Sequence, residues 1–343
     1  MTSYQLIRLS WRDLQPEAQL TRGEDSGALR LQDPLPSEVT PGAAPLHEPA
    51  IEEAAGAMED VRRRGRVPAV VLHAGDLPAA LAAAGWAHRG VAEAFASYAR
   101  QVVTRLHATH HEPALWITVE DPWQIAFGAY QRPQPATALA AAHHLNLAHG
   151  LAALAVREAA TGARIGLALR LHVPRAADPE RAADLAAAHR VALYGNHVFL
   201  GPLLDGSYPV ELRRRTREVS DWSFVRPGDL VAIRQHLDLL VAVHRPPVSA
   251  REVQTGMIAG SRAGWFDLDD VDMVVHEAAQ DRAEAYYDLL TALDNAYDGH
   301  PMLAMAGADV RDPAARAALE EAVVRARTDG AAVTGQVLAE EAP

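Results

Sequence analysis

The sequence contains no cysteine and no lysine. Without thiols there are no disulfides, no thiolate nucleophile and no cysteine metal site. All 32 basic side chains are arginine, so Schiff-base chemistry and a lysine general base are excluded, whether or not a GC-rich genome is the cause. No stretch reaches the roughly 18 consecutive apolar residues of a membrane span, so no membrane association is expected. The opening MTSYQLIRLSWRDL lacks a charged region followed by an apolar one; no signal peptide is expected, and the cytoplasm is the expected location. There is no GxGxxG fingerprint, no P-loop and no GxSxG elbow. The net charge of −12 opposes binding to a phosphate backbone, so nucleic acid is not an expected partner.

What is present is a chain of 343 residues, 49% hydrophobic, read as one domain over 1–343. Short apolar runs alternate with helical patterns. Residues 4–11, Val67–Leu72, Ala114–Val119, Ile165–Val173, Leu237–Val243, Pro301–Met305 and Val333–Leu338 read as strands. Residues 48–64, 88–107, 136–159, 178–198, 278–297 and 312–329 read as helices, the first with Ile51, Ala54, Ala55, Met58 and Val61 on one face. Residues 17–47, rich in Pro, Gly and acids, read as a long loop insertion. Repeated strand–helix units with near-continuous apolar strands predict a parallel sheet covered on both faces.

Several segments, in order along nearly the whole chain, carry a resemblance. They include Trp11–Pro16 (WRDLQP), Pro68–Pro78 (PAVVLHAGDLP), Gly85-Trp86 with Val91–Arg105, and Thr118–Pro122 (TVEDP). Ala141–Leu151 (AAHHLNLAHGL), Gly201–Pro209 (GPLLDGSYP), Leu237–Leu240 and Pro301–Ala308 (PMLAMAGA) follow. Together they resemble the retaining β-glycosidases of glycoside hydrolase family 1. The resemblance implies an α/β fold, a (β/α)8 TIM barrel, with its site at the C-terminal ends of the strands. Trp11 matches the end of the family's second strand, and the chain stops soon after Gly335-Gln336. The barrel is therefore expected to be incomplete at its first and last strands, or closed differently. Exposed strand edges would favour a homodimer.

A retaining glycosidase needs two carboxyl groups about 5–5.5 Å apart, one acid/base and one nucleophile. The resemblance places Asp121 at the acid/base position, one methylene shorter than the family's glutamate, and Ala306 at the nucleophile. Ala74 and Gly75 stand at its sugar-contacting His-Trp pair and Glu120 at its asparagine. Arg170 stands at the fifth-strand asparagine, and Val243-His244-Arg245 at the family's Asn-Tyr-Tyr. The chain is thus read as a degenerate member lacking the nucleophile, a pseudoglycosidase.

The expected site comprises Glu120 and Asp121 as general acid/base, with Arg170 and Arg245 clamping an anionic group of a small-molecule ligand. Arg8 joins them if its strand faces inward. The competing reading is that acids and arginines neutralise one another in a dead pocket. His73 at a strand end is a candidate substrate donor or a packed core histidine; Trp123 lines the site or the core. No cofactor and no metal are expected. His107, His110 and His111 lie at a helix end with diverging directions, and His143, His144 and His149 are spaced poorly for zinc on a helix. Residues 266–272 (FDLDDVD) lack the glycine and spacing of a calcium loop. Arg213–Arg215 read as a solvated run.

The functional expectation is non-hydrolytic acid–base chemistry (isomerisation, cyclisation or elimination) on a glycoside or natural-product-like small molecule. A non-catalytic binding or partner protein is the alternative. A residual, altered glycosidase is a third, and needs a second carboxyl about 6.5–9.5 Å away, for which Asp76 and Asp309 are the candidates.

Overall fold

The computed structural model describes residues 2–15, 44–128, 135–253, 271–276, 278–307 and 310–338. Most of the loop expected over 17–47, and Asp309, lie outside them. Among the described residues are ten strands: β1 (Thr2–Arg8), β2 (Val67–His73), β3 (Leu115–Glu120), β4 (Ile165–Arg170), β5 (Pro174–Ala176), β6 (Leu239–Val243), β7 (Val248–Glu252), β8 (Val271–Val275), β9 (Met302–Met305) and β10 (Val333–Leu338). Six helices exceed ten residues: α1 (Glu48–Arg63), α2 (Arg89–Ala108), α3 (Pro135–Ala159), α4 (Ala182–Ala192), α5 (Ala279–Ala296) and α6 (Pro313–Thr328).

Seven strands close into a parallel barrel in the order β1-β10-β9-β6-β4-β3-β2. The expected barrel is the fold found, and the expected gap at its ends takes a definite form. β1 pairs on one side with β2, Tyr4 opposite Val67, and on the other with β10, Tyr4 opposite Val337. The strand that resembles the family's second thus hydrogen-bonds directly to the last one, and neither has a free edge. Alternate side chains fill the lumen: Tyr4, Leu6, Ala69, Val71, Leu115, Ile117, Leu239, Val241, Leu303 and Val337 form one buried cluster. The opposite faces of the strands join the helices in a second, larger core. Burial on both faces is why these strands read as continuous apolar runs.

The helices carry their own boundary signals. Pro49 stands in the first turn of α1, and Arg62 and Arg63 in its last, where they complement the helix dipole. Asp312 caps α6, accepting from the Ala314 and Ala315 N–H groups, with Pro313 next in sequence. The apolar face read for α1 is the buried one. α3 is long and apolar enough to cross a bilayer, but 89% of its apolar window is buried inside the protein. Its histidines and Asn146 find partners there, as described below.

Two features depart from the sequence reading. The run read as one strand over 165–173 stops at Arg170, and the chain re-enters a sheet at β5. β5 pairs parallel with β7, which pairs antiparallel with β8, in a three-stranded sheet beside the barrel. α4 is shorter than the helix read over 178–198, but the chain remains helical to Asp205 through wider turns at 193–197 and 201–205.

Candidate functional site

β1 to β4 deliver Arg8, His73, Glu120 and Arg170 to their C-terminal ends, where barrel enzymes of this architecture carry their chemistry. Arg8 faces Glu120: its Nε donates to Glu120 Oε2 at 2.6 Å and its Nη2 to Oε1 at 2.9 Å. Both carboxylate oxygens are engaged by one guanidinium in a two-point, charge-assisted pair. The pair is partly exposed, 34% for the Arg8 side chain and 16% for Glu120.

Asp121 adopts φ +48°, a left-handed conformation that Asp tolerates better than most residues. Its N–H donates to the Ala168 carbonyl at 3.0 Å, tying it to β4. Its Oδ1 accepts from the Gln124 N–H at 3.2 Å, capping the turn that follows. Desolvation raises the Asp121 carboxyl above its ordinary value; Arg245, the Gln124 N–H and Arg170 oppose that shift, and Glu120 adds to it. A raised value moves a carboxyl toward the range in which it can act as a proton donor.

Trp123 and both arginines complete the group. The Arg245 guanidinium lies 4.7 Å from the centre of the Trp123 ring, a cation–π contact. Trp123 stacks on Phe127 at 5.7 Å and meets His172 edge-on at 4.8 Å. Trp123 is 8% exposed and belongs as much to the core as to the site.

His172 is a residue the sequence reading missed. It is buried, and desolvation, then Arg245 and Arg170, hold it well below the usual histidine value, so it is neutral. Asn196 clamps its backbone, Oδ1 accepting from the His172 N–H at 2.7 Å and Nδ2 donating to its carbonyl at 2.8 Å. Gly195 makes room for the ring: a Cβ there would stand 2.5 Å from His172 Cδ2. The signal available was position alone, two residues past the end of β4. His244, next to Arg245, is likewise buried, edge-on to Tyr286.

His73 is not brought into this group. It is 1% exposed and packs against Trp11, Trp86 and Phe95, with ring centres 6.4, 5.0 and 6.0 Å away. Burial lowers its pKa to about 4. The structure therefore corrects the expectation of a substrate donor: the aromatic cluster surrounds the ring, and the packing reading describes it. Asp76, a candidate second carboxyl, is 82% exposed beside Arg12. A Cβ on Gly75 would meet nothing within 4 Å among the described residues. Past β9, Ala306 and Gly307 carry no carboxyl.

Four other histidines are held by structure. His107 pairs with Glu112 and His111 with Glu59 at 3.0 Å. His143 is the centre of a buried network, with Nε2 2.9 Å from Asp229 and Nδ1 2.9 Å from the Tyr208 hydroxyl. Arg89 closes on the same Asp229 at 2.7 and 2.8 Å. His149 meets the Thr118 hydroxyl at 2.7 Å.

A closed parallel barrel, with carboxyl groups at the end of β3 and arginines at the ends of β1 and β4 and just after β6, defines the class: a (β/α) barrel with its polar group at the C-terminal ends of the strands. The sequence profile of glycosyl hydrolase family 1 matches residues 56–320, and the chain belongs to that family. It is 35% identical over 243 residues to the bifunctional β-D-glucosidase/β-D-fucosidase of Bifidobacterium breve, covering 67% of this chain and 50% of that protein. It is 34% identical over 226 residues to a β-glucosidase of an Agrobacterium species, covering 62% and 46%. The chain thus spans about half the length of these relatives. Among solved structures, the psychrophilic β-glucosidase of Micrococcus antarcticus superposes with a TM-score of 0.75 at 26% identity, over 88% of this chain and 72% of that one. The family 1 β-glucosidase of Thermotoga maritima reaches 0.77 at 19% identity, a likeness of fold alone, over 98% and 73%.

Proposed function

We propose that this family member is a pseudoglycosidase that performs acid–base chemistry on a glycoside or similar small molecule without a covalent glycosyl intermediate. The observation that carries the reading is Asp121. The resemblance puts it at the family's acid/base position and Ala306 at the nucleophile's, and desolvation raises the Asp121 carboxyl while Arg245 and Arg170 oppose the shift. Asp121 is the proton donor and acceptor. Glu120, held by Arg8 on both oxygens, orders the mouth and shares in proton transfer. Arg170 and Arg245 stabilise negative charge that develops on the ligand, and Trp123 gives it an apolar wall.

The test has two arms. Incubating a panel of β-glycosides with the protein in D2O is expected to yield isomerised, eliminated or deuterium-labelled products by NMR. Both Asp121→Asn and Glu120→Gln are expected to abolish them. A 2-deoxy-2-fluoro glucosyl donor, which arrests retaining enzymes at the covalent stage, is expected to leave the protein's mass unchanged; stoichiometric labelling defeats the proposal.

A second reading rests on the relatives, which are β-glucosidases and a β-glucosidase/β-fucosidase. It is hydrolysis of β-glycosides by an altered mechanism. Turnover of nitrophenyl β-glucoside or β-fucoside that disappears in Asp121→Asn selects it over the first.

A further inference from the structure

A cleft of about 610 Å³ opens between the first turns of α2, the first turns of α3 and the segment at 217–226. It lies on the helix layer, and none of its lining residues belongs to the group around Asp121. Its volume falls in the range of small-molecule sites, roughly 300–1,000 Å³. Ala136 and Ala140 leave the wall of α3 low, and Phe224 gives an aromatic surface.

One buried polar side chain lines the cleft. His144 is 3% exposed, and its Nδ1 lies 3.1 Å from the Trp86 carbonyl oxygen. A carbonyl only accepts, so Nδ1 carries the hydrogen. Burial, followed by neighbouring His143, lowers the His144 pKa to about 3, so the ring is neutral and Nε2 holds a lone pair. No hydrogen bond reaches Nε2 among the described residues, and it is an acceptor to which a ligand hydroxyl or N–H can donate.

The charges around it sum to little. Arg89 spends two nitrogens on Asp229 and its Nε on Glu93. The rim sets Arg217 and Arg226 against Glu218 and Asp221, all four exposed. A site that binds an anion or a cation gathers charge of the opposite sign, and this rim gathers both. The Ser220 hydroxyl accepts from the Trp222 N–H at 3.1 Å and keeps its own hydrogen to donate.

We propose that this cleft is a second ligand site that takes a neutral, hydroxyl-rich ring such as a monosaccharide or a small glycoside. A ligand hydroxyl donates to His144 Nε2, the ring's apolar face lies against Phe224 and the alanines, and the mixed rim exchanges hydrogen bonds with the outer hydroxyls. This inference does not depend on the chemistry at the barrel mouth.

Saturation-transfer NMR and calorimetry with methyl β-D-glucoside test it, with D-glucuronate and D-glucosamine as charged comparisons. The wild type is expected to bind the neutral glycoside weakly, with Kd on the order of 1 mM, and at least about tenfold more tightly than either charged sugar. Ser223→Trp and Ala136→Phe fill the cleft from exposed and half-buried positions. Each is expected to weaken binding at least about tenfold with an unchanged far-UV spectrum. Asp121→Asn, which alters the mouth alone, is expected to leave this affinity unchanged. His144→Gln, which keeps an acceptor, is expected to lose less than His144→Leu. Affinity untouched by the two filling variants overturns the proposal. So does loss of binding in Asp121→Asn, stronger binding of a charged sugar, or no binding to the wild type.

Discussion

Asp121 performs two tasks with one carboxyl. As a cap it accepts from the Gln124 N–H, and its left-handed backbone is one that Asn adopts at least as readily. As an acid it is held above its ordinary value, chiefly by desolvation. The two tasks separate in Asp121→Asn, which keeps the capping oxygen and the backbone preference and loses the charge. Between the ordinary carboxylate value and the raised one, the fold keeps a proton that the unfolded chain releases, so this group's contribution to stability falls as pH rises. The ionised form is the costly one at neutral pH. Asp121→Asn is therefore expected to be more stable than wild type at pH 8, with a margin that shrinks toward the most acidic pH at which both remain folded. Urea midpoints at the two pH values measure it; an equal margin at both, or wild type ahead at pH 8, contradicts the assignment. At this scale the sequence showed which charged residues would gather, because Glu120, Asp121, Arg170 and Arg245 fall at strand ends. It did not show that the ring of His73 turns into an aromatic cluster, nor that His172 joins the arginines. Side-chain direction at a strand's last residue is set by packing, and period-two alternation no longer decides it.

Elements were legible where burial is uniform. β2, β3, β4 and β6 are largely apolar up to their C-terminal ends because helices cover one face and the lumen the other. β5, β7 and β8 were missed because they are short, only partly buried and formed by pairing between segments far apart in sequence, so no local period marks them. α3 read clearly as a helix, but its neighbour did not: Asp229–Ile233 is a single short helix lying directly against it. Gly150 permits that approach. A Cβ at 150 would stand 2.6 Å from the Ala232 carbonyl carbon and 2.7 Å from Ile233 Cα, both backbone atoms that cannot rotate away. Helix propensity alone favours alanine by about 1 kcal/mol, but overpacking against rigid neighbours costs roughly 1–3 kcal/mol or more. Gly150→Ala is therefore expected to destabilise the protein by up to about 2 kcal/mol net, read from chemical denaturation. A neutral or stabilising result means that the short helix gives way. The same shift would move Asp229, and with it the network through Arg89 and His143.

The whole molecule is a barrel closed one strand short of eight among the described residues, and the outward face of its closing seam is polar. The outward residues of β1 and β10 near the join are Ser3, Gln5, Thr334 and Gln336, all partly or fully exposed, while their inward neighbours Tyr4, Leu6 and Val337 are buried.

The interior carries the opposite burden, because it buries His73, His143, His144, His149 and His172 with every one lowered, chiefly by desolvation. These groups are neutral in the fold and protonate near 6.5 once the chain unfolds. Their stabilising contribution is complete above that value and is lost as pH falls toward the folded values, about 4 for His73 and about 3 for His144 and His149. Well below 6.5, each withheld proton costs about 1.4 kcal/mol per pH unit, so His73, His144 and His149 together remove about 4 kcal/mol per unit, and His143 and His172 act in the same direction. Typical net stability is about 5–15 kcal/mol. The protein is therefore expected to hold its stability down to about pH 6.5 and to unfold cooperatively above pH 4, with proton uptake visible in the steepness of the transition. His73→Phe fits the ring cluster of Trp11, Trp86 and Phe95 and removes one of the five. It is expected to shift the acid midpoint downward and flatten the slope by about one proton, with stability at pH 8 held or raised because the unpartnered His73 Nε2 is gone. Stability that stays level from pH 7 to pH 4, or an acid midpoint that His73→Phe leaves in place, would show that the buried histidines do not set the acid limit.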